Sequence, residues 1–92
     1  MKISWLGHDG FRIKNTKTVY IDPYVMEAGE KADIILISHE HFDHCSPGVI
    51  KKIVSSNTTI VTTALVKRQL SGTKAKEIRA VKPGQKMLID DV

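Results

Sequence analysis

The stretch DIILISHEHFDHCSPGVIKKI, residues 33–53, decides how this chain is read. Its first six positions, 33–38, are a nearly continuous apolar run rich in β-branched residues. Such a run suits a strand buried on both faces, in the middle of a sheet. Its last third has the marks of a helix start. Ser46 is placed to cap the N-terminus and Pro47 to occupy the first turn. Val49, Ile50, Ile53 and Val54 then recur at helical spacing, with Lys51 and Lys52 turned to water. Between strand and helix lie three histidines and an aspartate within six positions, His39 to His44.

That density of ligand side chains calls for a chemical reading. In an extended segment, side chains two apart point the same way. His39 and His41 can therefore share one metal ion, with Glu40 directed away between them. Neighbouring side chains point apart, so one ion does not take all four ligands. If the chain turns toward the helix at Ser46, Asp43 and His44 face a second ion. Imidazole nitrogen and carboxylate oxygen suit Zn²⁺ or another borderline divalent ion, with Mn or Fe as alternatives, rather than Ca²⁺. Two such ions roughly 3.5–4 Å apart can activate water and clamp a carbonyl or phosphoryl oxygen. A plain polar loop is the alternative, and a lone histidine would favour it. Three histidines and an aspartate at the end of a buried strand favour a metal site.

Outward from this centre, residues 2–6, 10–14 and 17–22 read as strands, the latter two alternating apolar and polar, with a tight turn at Asn15-Thr16. Pro23 stops the third strand and a loop follows. Beyond the helix, residues 58–63 read as a strand and 64–70 as a short helix ended by Ser71-Gly72. Residues 77–81 are a strand, 82–85 a turn and 86–89 a further strand. Asp90-Asp91 then look like a hairpin turn into another strand. Strands first, then alternating strand and helix, predict an α/β (α+β) chain: one mixed β-sheet with helices on one face.

The 92 residues allow one small domain at most. Hydrophobic content of 41% and charged content of 26% are ordinary for a globular chain, and aromatics at 5% leave the core to Ile, Val and Leu. Trp5 and Phe11 are expected in that core rather than as a substrate platform. No apolar run reaches membrane-span length and no signal-peptide pattern opens the chain. The single cysteine, Cys45, excludes an internal disulfide and fits a reducing compartment, so a cytoplasmic location is expected. A net charge of +4 raises the question of nucleic acid. The Lys and Arg residues form no block denser than Lys67-Arg68 and Lys74–Lys76, and no stacking aromatics sit beside them. Scattered solvating charge is the preferred reading, with nucleic-acid binding a weaker alternative.

The segment HEHFDH has the form HxHxDH and resembles the signature of the metallo-beta-lactamase superfamily. ISWLGHDGFRI (3–13), VYIDPY (19–24) and ADIILISHEHFDHCSPGVIKKI (32–53) resemble the N-terminal half of one branch of its metal-dependent hydrolases. That branch includes an ascorbate-phosphate lactonase and a phospholipase D acting on N-acyl-phosphatidylethanolamine. The resemblance implies an αββα sandwich of two similar halves, of which residues 1–92 are the first. It implies His39 and His41 at the first metal and Asp43 and His44 at the second. Asp43 would also be the catalytic residue that orients the attacking hydroxide. Asp22 is either a buttress accepting a hydrogen bond from a ligand histidine or a plain Asp-Pro turn. His8 matches a glycine-histidine position near the metals, though Asp9 departs from the branch's usual Ser or Ala, and a surface-turn histidine is the alternative. Cys45 is either a soft extra ligand or a small thiol buried under the helix.

The family's second half supplies further metal ligands, and no histidine follows His44 here. The expectation is therefore a hydrolase of a phosphodiester, lactone or related ester, acting on a small phosphorylated or ester substrate and incomplete as this chain. A non-catalytic metal-binding or interaction module is the alternative. Because helices can cover only one face of the 33–38 strand, the other face should need a partner: a second copy in a homodimer, or the missing C-terminal half.

Overall fold

The computed structural model describes residues 1–7, 10–23, 30–39, 47–82 and 84–85. Eight elements lie within them: β1 (Lys2–Gly7), β2 (Gly10–Lys14), β3 (Thr18–Ile21), β4 (Ile34–Leu36), α1 (Pro47–Ile53), β5 (Thr59–Thr62), α2 (Ala64–Gln69) and β6 (Glu77–Ala80). The strands form one sheet in chain order, β1 to β6. The first two pairings are antiparallel and the remaining three parallel. The mixed α/β architecture expected from the sequence is therefore present. The strand and hairpin expected at 86–92, and the Ser46 cap, lie outside the described residues.

Parity within the sheet sorts the apolar residues onto two faces. Tyr20, Ile35, Ile60 and Ile78 stand in register across four adjacent strands. They face the helices, and Tyr20, Ile35 and Ile60 form the main core with Ile50 and Ile53 of α1, Val66 of α2 and Leu70 at the C-cap of α2. The two parallel steps that carry helices, β4 to β5 and β5 to β6, move in the same direction along the sheet. Right-handed crossovers then place both helices on one face. Helix α2 starts at Thr63, whose side chain accepts the Val66 N–H, and the chain leaves it through Gly72 at φ 93°.

The other face carries a second row, Val19, Ile34 and Val61, with Ile13 and Leu36 packed against it. Toward β1 this row opens to solvent: Ile3 is 64%, Trp5 69% and Phe11 39% exposed. Trp5 and Phe11 thus do not join the core of this chain, contrary to the sequence expectation. They pair across β1 and β2 on the side away from the helices. At the 33–38 strand, where an uncovered face is expected from the sequence, Ile34 is only 2% exposed, between Val19 and Val61; the exposed apolar residues lie instead on β1 and β2. Among the described residues, no helix is long and apolar enough to cross a membrane.

Candidate metal centre at the exit of the central strand

The candidate site begins where β4 ends, at the carboxyl edge of the parallel strands. In open α/β sheets this edge is where ligand sites form. Three residues, Leu36 to Ser38, carry the chain from the sheet to His39, and both neighbouring strands tie them down. From the β3 side, the Asp22 N–H donates to the Leu36 carbonyl at 2.8 Å. From the β5 side, the Ile37 N–H donates to the Val61 carbonyl at 3.0 Å, and the Thr62 hydroxyl donates to the Ile37 carbonyl at 3.0 Å. The Ser38 N–H and hydroxyl both donate to the Asp22 carboxylate, each at 2.7 Å. A backbone held at four points, with the Ser38 side chain as a fifth, leaves little freedom in where the His39 side chain starts.

Asp22 follows β3 directly, is 5% exposed, and has φ 43°. This is the left-handed region, which Asp tolerates better than most residues and which is itself a mark of functional geometry. The turn swings the carboxylate from the end of β3 across to the end of β4, so both of its oxygens meet Ser38. Gly10 of β2 makes room for the turn: a Cβ there would stand 3.0 Å from the Asp22 carbonyl oxygen.

The Ser38 hydroxyl also lies 2.8 Å from His39 Nδ1. A hydroxyl has one proton to give, and an ionised carboxylate can only accept. Ser38 therefore gives its proton to Asp22 and receives one from His39 Nδ1–H. The chain Asp22–Ser38–His39 fixes the tautomer in which Nε2 carries the lone pair, the form a metal ligand needs. The residues here thus fit a divalent ion. The buttress read from the sequence has Asp22 accepting directly from a ligand histidine; among the described residues it accepts from Ser38, and its link to His39 runs through that hydroxyl. Neither Ser38 nor Thr62 stands out in the sequence. Each is a common strand-end residue, and nothing local marks its partner, which for Ser38 lies 16 positions away and for Thr62 25.

His41, Asp43 and His44, the other expected ligands, lie outside the described residues, as do His8, Cys45 and Glu40. Among the described residues no three His, Cys, Asp or Glu side chains group as a metal site. A cavity of about 350 Å³ opens beside Ser38, walled by Leu36, Val61 and Val81 on the open face of the sheet.

Comparison with known proteins agrees with this geometry. A family described as beta-lactamase superfamily domain matches residues 2–91. A UPF0173 metal-dependent hydrolase of Methanoregula boonei is 42% identical over 55 residues, spanning 56% of this chain and 25% of that protein. A UPF0173 protein of Pyrococcus abyssi is 38% identical over 98 residues, covering 100% of this chain and 45% of its own length. A crystal structure from Parabacteroides distasonis, of a protein described as a metal-dependent hydrolase, superposes with a TM-score of 0.78 at 28% identity. It covers 90% of this chain and 38% of that one. The chain thus spans less than half the length of these relatives. With a mixed sheet, a buttressed histidine at the exit of its central strand, and a family match along nearly its whole length, the chain belongs to the beta-lactamase superfamily.

Proposed function

We propose that residues 1–92 are the N-terminal half of a metal-dependent hydrolase that cleaves a phosphodiester, lactone or related ester. The observation that supports this is the Asp22–Ser38–His39 hydrogen-bond chain at the end of a central strand, the kind of outer support that a metal-ligating histidine needs. In this reading His39 and His41 hold the first divalent ion, and Asp43 and His44 the second. Zinc suits the nitrogen and carboxylate donor set best, with Mn or Fe as alternatives. When bound, the metals supply Lewis-acid polarisation of the substrate and activation of water. Asp43 orients the attacking water, and Asp22 holds His39 in its ligating tautomer. His8, which falls between β1 and β2 in the sequence, is the candidate for a contact near the metals or to substrate, with a plain surface histidine as the alternative. The single cysteine fits a cytoplasmic protein.

The exposed row of Ile3, Trp5 and Phe11 and the length of the relatives support a C-terminal half seated on the open sheet face. Without it, a second copy of the chain is the expected occupant. Elemental analysis after purification without chelator tests the metal reading. The wild-type chain should retain a divalent transition metal and the His39→Ala/His41→Ala variant should not; equal contents would refute it. Joined to its second half, the protein should hydrolyse a phosphodiester or lactone, with Asp43→Ala abolishing turnover. Metal retained without turnover would favour the non-catalytic module.

A further inference from the structure

The net positive charge of the chain has one source. Residues 45–76 contain six cations, Lys51, Lys52, Lys67, Arg68, Lys74 and Lys76, and no acid. The other 60 residues carry eight cations against ten acids. Along the sequence the six look scattered, which favours ordinary solvation. The fold brings them together. They lie on α1, on α2 and in the segment leading to β6, which together form the helix-bearing side of the sheet, and all six are exposed. Among the described residues none of the six enters an ion pair, and Glu77, the next acid along the chain, is already paired with Arg79 at 2.9 Å. A solvating surface normally mixes both signs; among the described residues of this one the cations predominate, with Glu77 the acid near Lys67 and Lys76.

The layer also has shape. A groove of about 820 Å³ runs between α1 and the segment after α2. Lys51 stands on one side and Lys74 on the other, and Ser56, Ser71 and Thr73 line the space between, over Ile50 and Val54. Lysines with hydroxyl donors are the usual partners of phosphate oxygens. Residues 45–76 contain no aromatic side chain, so bases have nothing to stack on. A flat bilayer surface does not enter a concave groove, and Leu65 is the one large apolar side chain this stretch exposes among the described residues.

We infer that the helix layer binds the sugar-phosphate backbone of a nucleic acid strand, without reading base sequence, through Lys51, Lys74 and the hydroxyls between them. This surface lies on the opposite side of the sheet from the open face, so a second half seated there leaves it accessible. It does not depend on the metal site.

The test is fluorescence anisotropy with the full chain and a labelled single-stranded oligothymidylate, with and without chelator. Binding should persist in chelator and fall steeply as salt rises from about 50 to about 200 mM, as phosphate contacts require. Lys51→Gln/Lys74→Gln should weaken it about 10-fold and reduce the log–log salt slope by about 1.4, two contacts at roughly 0.7 each. Lys14→Gln, on β2 toward the other end of the sheet, should leave it unchanged. Circular dichroism confirms that the variants remain folded. The inference is overturned by no binding at low salt, by an unchanged affinity in the double variant, or by loss of binding in chelator. It is equally overturned if polyglutamate or anionic vesicles compete as well as unlabelled oligonucleotide does, since the surface would then be a docking site for acidic protein or for membrane.

Discussion

Asp22→Asn is the sharpest probe of the site, because it changes a proton position while nearly preserving shape. Asparagine tolerates the left-handed backbone at φ 43° about as well as aspartate. Its carbonyl oxygen can still accept the Ser38 N–H. Its amide, however, donates where the carboxylate accepted. The Ser38 hydroxyl must then accept from the introduced amide and give its own proton to His39 Nδ1, 2.8 Å away. The imidazole proton moves to Nε2, and the lone pair is lost from the nitrogen that should face the metal. Loss of an outer partner of a ligand histidine typically costs 10–100-fold in metal affinity, about 1.4–2.7 kcal/mol. The stability cost is separate: both Ser38 hydrogen bonds to the carboxylate lose their charge assistance, worth about 1 kcal/mol each. Two measurements divide these effects. Competition with a chromophoric chelator gives zinc affinity, and long-range ¹H–¹⁵N correlation spectra of the metal-free chain report the His39 tautomer. Ser38→Ala, which removes the relay without imposing the wrong tautomer, should lose less affinity than Asp22→Asn. An Asp22→Asn chain that keeps its proton on Nδ1, or binds zinc within about twofold of wild type, would refute the relay.

Other expectations follow from the two faces of the sheet and from its edges. Leu36 is half-buried on the open face, so Leu36→Lys should dissociate self-associated chains in sedimentation while sparing most helix signal. Ile35 is fully buried under the helices, and Ile35→Ala should cost about 2–5 kcal/mol in chemical denaturation. Gly10→Ala should destabilise by about 1–3 kcal/mol, because its Cβ would press on the Asp22 carbonyl at 3.0 Å, and it should weaken zinc binding through the same contact. Glu30 is held below the usual glutamate range, chiefly by its hydrogen bonds with Lys14 at 2.6 and 2.7 Å. A depressed carboxylate adds stability above its unfolded value and loses it as pH falls through the folded one. Thermal unfolding of Glu30→Gln should therefore differ from wild type at neutral pH but not in acid, and only slightly, since the pair is exposed to solvent and salt.

Much of this protein could be read along the chain because the signals are local. The apolar run at 34–37, the helical spacing of Val49, Ile50 and Ile53, and the turn residues around 82–85 each depend on neighbours within a few positions. The order of elements and the mixed sheet follow from them. The histidine cluster stands out for the same reason, since its candidate ligands His39, His41, Asp43 and His44 sit one or two residues apart. Parity alone told that Ile35 and Leu36 must face opposite ways. Which of the two meets the helices was decided by the tertiary structure, because it depends on the hand and direction of crossovers that span many residues. The same step left Trp5 and Phe11 exposed, although their apolar character alone placed them in a core. The Asp22–Ser38–His39 chain was likewise out of reach of the sequence. It joins the ends of β3 and β4 across 16 positions, and those ends lie side by side because Ile21 and Leu36 pair in the folded sheet. Local pattern determines which elements form, but which side chains share a proton depends on how the elements pack.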